Sequence, residues 1–153
     1  FERANTLMDS LKSTGLNIVR RTEMELVESR PDVLLVDTTG ELNAFYEVAT
    51  LVFVGKSLTA QGGQNPIEPA VLGKPVIFGP FMQNFREVVK SLLEAEGAVQ
   101  VVDEAGLAHK IDELMGDSTQ REALGSAAKG VVEANKGATQ RTAQMLEQTL
   151  RAL

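Results

Sequence analysis

The sequence predicts an α/β fold: a parallel sheet with flanking helices, followed by a helical C-terminus. Three observations carry this. Short apolar runs at 32–37, 51–55 and 75–80 end in Gly or small polar residues, the pattern of strands covered on both faces. Stretches of helical spacing separate these runs, so strand, turn and helix alternate with connections long enough for right-handed crossovers. After Asp103 only helical spacing remains, in stretches 104–116, 118–135 and 138–152 broken at Gly116-Asp117 and Gly137.

Taken in order, Leu7 and Leu11 set the first helix, and Gly15 stands where a helix ends on a left-handed residue. A β-prone run follows at 16–19, then the breaker Arg30-Pro31. The 32–37 run closes on Asp37-Thr38-Thr39-Gly40. A short helix over 41–49 presents Leu42, Phe45 and Tyr46 as its buried side. After the 51–55 strand comes a polar loop, 56–65. Pro66 then fits the first turn of a helix, where its missing N–H removes no bond, and that helix ends at Gly73. The last strands and helices are a strand at 75–80, a helix at 85–96 and a strand at 99–102. Leu107, Ile111, Leu114 and Met115 form a core stripe, and His109 reads as a solvated helix position. No repeat, low-complexity tract or linker divides the chain, so residues 1–153 read as a single domain. Phe1-Glu2-Arg3-Ala4 reads as the interior of a helix, which suggests a piece of a longer polypeptide.

Composition removes several classes. With 43% hydrophobic and 24% charged residues over 153 positions, bulk disorder is excluded. A formal net charge of −6 argues against a nucleic-acid binder, which needs a basic face. Zero Cys removes disulfides, thiolate zinc sites and a cysteine nucleophile. No apolar run approaches the roughly 20 residues of a membrane-crossing helix. No His/Cys/acid set has metal-ligand spacing, and no P-loop, G-x-S-x-G or strand-linked G-x-G-x-x-G is present.

In open α/β sheets, ligands bind beyond the carboxyl ends of the strands. That directs attention to the loops at 37–42, 55–65 and 79–84. The sharpest segment is Gly62-Gly63-Gln64-Asn65-Pro66-Ile67-Glu68-Pro69-Ala70. Paired glycines permit tight turning and close backbone approach. Asn65 is a good N-cap, and the first-turn amides after it form an anion site. Glu68 either closes a capping box onto the Asn65 N–H or accepts hydrogen bonds from sugar hydroxyls. A capped helix after a long loop explains the local pattern equally; the second proline and the length of the polar loop favour a binding loop. In the 37–42 turn, Thr38 or Thr39 caps the next helix and Gly40 allows close approach. Asn84 reads first as an N-cap.

The order of five segments is more specific than any one of them. Asp37-Thr38-Thr39-Gly40-Glu41-Leu42, Val54-Gly55-Lys56-Ser57-Leu58, the 62–70 segment, Gly73-Lys74-Pro75-Val76-Ile77-Phe78-Gly79-Pro80 and Asn84-Phe85 together resemble the C-terminal domain of 3-deoxy-D-manno-octulosonic acid (Kdo) transferases. The resemblance covers nearly the whole chain and extends to Asn135-Lys136-Gly137-Ala138. It implies the C-terminal half of a GT-B glycosyltransferase, Rossmann-like, holding the donor nucleotide. The implied reaction transfers Kdo from CMP-Kdo to a lipid A precursor at the cytoplasmic face of the bacterial inner membrane, without a metal or other cofactor. Expected donor contacts are Gly40, Glu41 and Leu42 in one turn, Gly62, Gly63, Gln64 and Asn65 at the phosphate, Glu68 at the ribose, and Ser57 and Asn84 beside the cleft. The catalytic carboxylate and the acceptor site are expected in an N-terminal domain outside this chain, and the opening strand, helix and strand of the C-terminal domain are expected to be absent. That gap would leave a sheet edge through which two copies pair. Gln64 stands where the family often has His, and Lys56 where it usually has Gly. A related GT-B domain taking a UDP- or GDP-sugar, and a non-catalytic interaction module, are the alternatives.

Overall fold

The structure is a computed structural model that describes residues 2–26, 29–60 and 62–136. The chain forms two compact units, divided between Leu42 and Asn43.

In the first unit, α1 (Glu2–Leu11) runs into a 3-10 turn, Lys12–Thr14, which Gly15 closes at φ 75°, as its position predicts. Strands β1 (Ile18–Arg20) and β2 (Val33–Leu35) pair in parallel, Ile18 opposite Val33. β1 starts later than the sequence suggests because Asn17 is occupied by Asp32. The Asn17 N–H donates to Asp32 Oδ2 at 2.9 Å, and the Asn17 carbonyl accepts the Asp32 and Val33 N–H groups. β2 is half-buried rather than covered on both faces. A 3-10 segment, Arg21–Leu26, separates the strands where the sequence carries no periodic signal. Helix α2 (Leu42–Val48) opens at the division between the units. Its Phe45 and Tyr46 are half-buried as expected, whereas Leu42, expected to be buried, is 48% exposed.

The second unit holds β3 (Val52–Phe53), β4 (Val76–Phe78) and β5 (Ala98–Gln100), all parallel in the order β3-β4-β5. The parallel pairing is as predicted, but it falls into two sheets instead of one. Central β4 is buried throughout and divides the core by its alternation. Val76 and Phe78 pack with Val54, Ala70, Leu92, Ala98 and Ala128 on one face. Ile77 packs with Val101, Leu114 and Leu124 on the other. Four helices cover the sheet: α3 (Ile67–Val71), α4 (Arg86–Glu94), α5 (Glu104–Gly116) and α6 (Ser118–Asn135). Asp103 and Asp117 cap α5 and α6 through Gly106 N–H and Gln120 N–H, at 2.7 and 2.9 Å. Both helices keep the bounds read from sequence; the stretch at 138–152 lies outside the described residues.

Leu107, Ile111 and Leu114 pack onto the core as predicted. Met115 does not, and is 55% exposed. One residue beyond Leu114 is a turn of about 100° around the helix, enough to leave the stripe. His109 is exposed, as read. Where α6 crosses the end of α3, a Cβ built on Gly125 would lie 2.0 Å from the Gly73 carbonyl oxygen, so this contact admits only glycine.

Candidate functional site

The second unit gathers the loops after β3 and β4 at one corner. Gly62 and Gly63 both take left-handed backbone, φ 103° and 63°, and both are buried. Their turn is tied at three points. Gly62 N–H donates to Gln83 Oε1 at 3.0 Å, the Gly62 carbonyl accepts from Asn84 N–H at 3.4 Å, and Gln64 N–H donates to the Gly55 carbonyl at 3.1 Å. A Cβ on Gly62 would sit 2.7 Å from Asn84 Nδ2, and one on Gly63 would sit 2.2 Å from Met82 Sδ. The glycines are therefore required by packing against 82–84. Their close approach is to their own protein.

The expected row of free amides is interrupted. Pro66 and Pro69 have no N–H, and Ile67 N–H donates to Asn65 Oδ1 at 2.9 Å. Gly62 and Gln64 amides are bonded as described. α3 itself is only five residues long, so its dipole adds little. What the corner offers instead is side chains. Asn65 uses both ends of its amide: Oδ1 accepts Ile67 N–H from one residue ahead of the observed N-cap, Pro66, and Nδ2 donates to Glu68 Oε1 at 3.0 Å. The capping-box bond from Glu68 to the Asn65 N–H is replaced by this side-chain bond. Glu68 is thus a half-buried carboxylate held in one orientation. Burial raises the Tyr46 phenol above its ordinary range, and the Glu68 charge adds to the effect. Gln64 is exposed at the rim.

Ser57 is fully buried. Its hydroxyl donates to the Val54 carbonyl at 2.5 Å and accepts Gly79 N–H at 2.8 Å, while its carbonyl accepts Phe81 N–H at 2.9 Å. It braces the ends of β3 and β4 and presents no hydroxyl to a cleft. Ser57→Ala leaves the buried Gly79 N–H without its acceptor, and a loss of about 1–3 kcal/mol in denaturant unfolding is expected. An unchanged midpoint contradicts the brace. Asn84 is no N-cap: it lies inside the 3-10 turn Gln83–Phe85, and Phe85 precedes α4 without a side-chain cap. Asn84 is exposed and packs against Gly62.

Gly40, Glu41 and Leu42 lie in the first unit. Gly40, at φ 85°, has open space where a Cβ would be. Thr38, expected to cap the next helix, instead donates its hydroxyl to the Glu41 side chain at Oε2, and Arg21 Nη2 lies 3.0 Å from Glu41 Oε1. The Thr38 hydrogen bond, then the Arg21 charge, hold Glu41 below the ordinary carboxylate range. Thr22 does the same for Asp37 through hydroxyl and amide bonds of 2.8 and 3.1 Å. Depressed carboxylates stabilise above their unfolded pKa, and that contribution is lost as pH falls through the folded value. Carboxyl titration by NMR should give midpoints for both below the ordinary range; ordinary or raised midpoints contradict these contacts. Sequence reading missed Arg21, because a partner 20 residues away leaves no periodic trace. It also missed Gln83, which sits one place before a residue that was singled out.

No group of three or more His, Cys, Asp or Glu among the described residues could hold a metal ion. None of the described helices is long and apolar enough to cross a membrane.

Parallel strands with covering helices form a Rossmann-like α/β fold of the kind found as the C-terminal half of GT-B glycosyltransferases. No protein-family model matches the chain. It is 37% identical over 95% of its length to a Kdo transferase of Haemophilus influenzae and 34% identical over 97% to one of Bordetella pertussis. The chain spans 34% and 35% of those two relatives, about a third of their length. Among solved structures it resembles the C-terminal CMP-Kdo binding domain of WaaA from Acinetobacter baumannii, with TM-score 0.79 and 26% identity over 86% of this chain and 68% of that one. The chain is similar to the Kdo transferases along nearly its whole length, and its fold resembles that of the CMP-Kdo binding domain.

Proposed function

We propose that this chain is the donor-binding portion of a glycosyltransferase that moves Kdo from CMP-Kdo to a lipid A precursor, acting at the cytoplasmic face of the inner membrane. The observation that carries the reading is the likeness to a CMP-Kdo binding domain over 86% of the chain. Glu68, fixed by Asn65, accepts the two ribose hydroxyls; this suits a carboxylate that has already lost its freedom to turn. With the Ile67 amide occupied and the Pro66 and Pro69 amides absent, side chains answer much of the phosphate charge. Lys56 and Arg86, on the segments that follow β3 and β4, are exposed and take part in none of the ion pairs among the described residues. Gln64 and the Asn84 amide complete the rim. The attacking hydroxyl and the base that activates it are supplied outside this chain.

Calorimetric titration with CMP, UMP and GDP tests the reading. Preference for CMP supports it. Preference for UMP or GDP points to a different sugar-nucleotide donor, and no binding of any of the three at millimolar concentration points to a non-catalytic module. Pairing of two copies through a sheet edge is read by light scattering, where a monomer mass removes it.

A further inference from the structure

We propose that Gln83 is a positioning residue for the donor: its side-chain oxygen sets the Gly62-Gly63 turn on which the nucleotide rim is built. The role rests on the donor-binding reading above. Gly62 is buried, and its N–H finds Gln83 Oε1 at 3.0 Å. The next residue, Asn84, returns its own N–H to the Gly62 carbonyl at 3.4 Å. Consecutive residues of one loop thus grip the amide and the carbonyl of one glycine in the other. Behind this grip, Met82 fills the space beside Gly63 and is itself buried. Two left-handed residues in succession are held by few backbone bonds of their own. Their direction is set from outside, and Gln83 is the side chain that sets it. Downstream of the turn, Gln64 and Asn65 lead directly to Glu68. A shift in the turn therefore moves the rim while the sheet stays in place. Gln83 is itself exposed, so its replacement does not open the core.

The test compares Gln83→Leu, which keeps the size and removes the acceptor, with Gln83→Glu, which keeps an acceptor. In this chain, Gln83→Leu should weaken CMP binding about tenfold, the equivalent of one hydrogen bond. The Gly62 amide should exchange faster while the amides of the sheet keep their exchange rates. Gln83→Glu should restore the slow exchange, and at high salt, where its added charge is screened, most of the affinity. If Gln83→Leu binds CMP as tightly as the unsubstituted chain, or if Gln83→Glu loses as much as Gln83→Leu at high salt, the positioning role is overturned while donor binding stands. If the unsubstituted chain fails to bind CMP, donor binding falls and this role with it.

Discussion

Replacing Glu68 with Ala should weaken CMP binding about a hundredfold, the loss of two hydrogen bonds to a charged acceptor at roughly 1.5 kcal/mol or a little less each. The reason lies in preorganisation. Asn65 Nδ2 already holds Glu68 Oε1, so the carboxylate meets a pair of vicinal hydroxyls without first losing rotamer freedom. The fold should barely notice. Glu68 is half-buried, and the one bond removed joins it to a neighbour three residues away on the same loop and helix. The decisive control is the ligand. 2′-Deoxy-CMP lacks one of the hydroxyls, so Glu68→Ala should cost it distinctly less than it costs CMP. Equal losses for both ligands contradict the ribose assignment and leave Glu68 as a capping acid.

A large loss of stability is expected from Gly79→Ala. The added Cβ would lie 2.2 Å from the Ser57 carbonyl oxygen and 2.6 Å from its carbonyl carbon, with Leu58 Cδ2 at 2.8 Å. Backbone so placed cannot yield cheaply, because Ser57 is bound to Val54, to Gly79 itself and to Phe81. Overpacking a rigid site costs about 3 kcal/mol or more, which for a chain of this size lowers the melting temperature by roughly 10 °C. Since the same braces align the loops after β3 and β4, the surviving folded protein should also bind CMP more weakly. A melting temperature within a degree or two of the original contradicts the packing described at this strand end.

How much of this was legible follows from the kind of signal each feature leaves. Apolar runs such as 75–80 and helical stripes such as Leu107, Ile111 and Leu114 reflect burial that repeats along the chain, so β4 and α5 were readable. Asp103 and Asp117 were read only as boundaries; the structure shows that each caps the amide three residues on. The 3-10 segment at Arg21–Leu26 and the division of the sheet left no such mark, since both depend on which strands meet. At the site, Gly62, Gly63, Asn65 and Glu68 were found by composition, yet their mechanics differ from the sequence reading. The glycines make room for Met82 and Asn84, and Asn65 is tied to the Glu68 carboxylate. Ser57 looked like a polar loop residue, but its bonds span 22 positions to Gly79, a separation no local pattern records. Pro66 was read as the first turn of a helix and Pro69 as favouring a binding loop; both also remove donors from the corner where an anion was expected.

The most direct measurement is an NMR map of amide shifts during a CMP titration. The account predicts shifts concentrated at residues 62–68 and 83–86, with α5 and the far ends of the strands silent. Shifts that avoid the Gly62-Gly63 turn and Glu68, and gather elsewhere on the second unit, would contradict it.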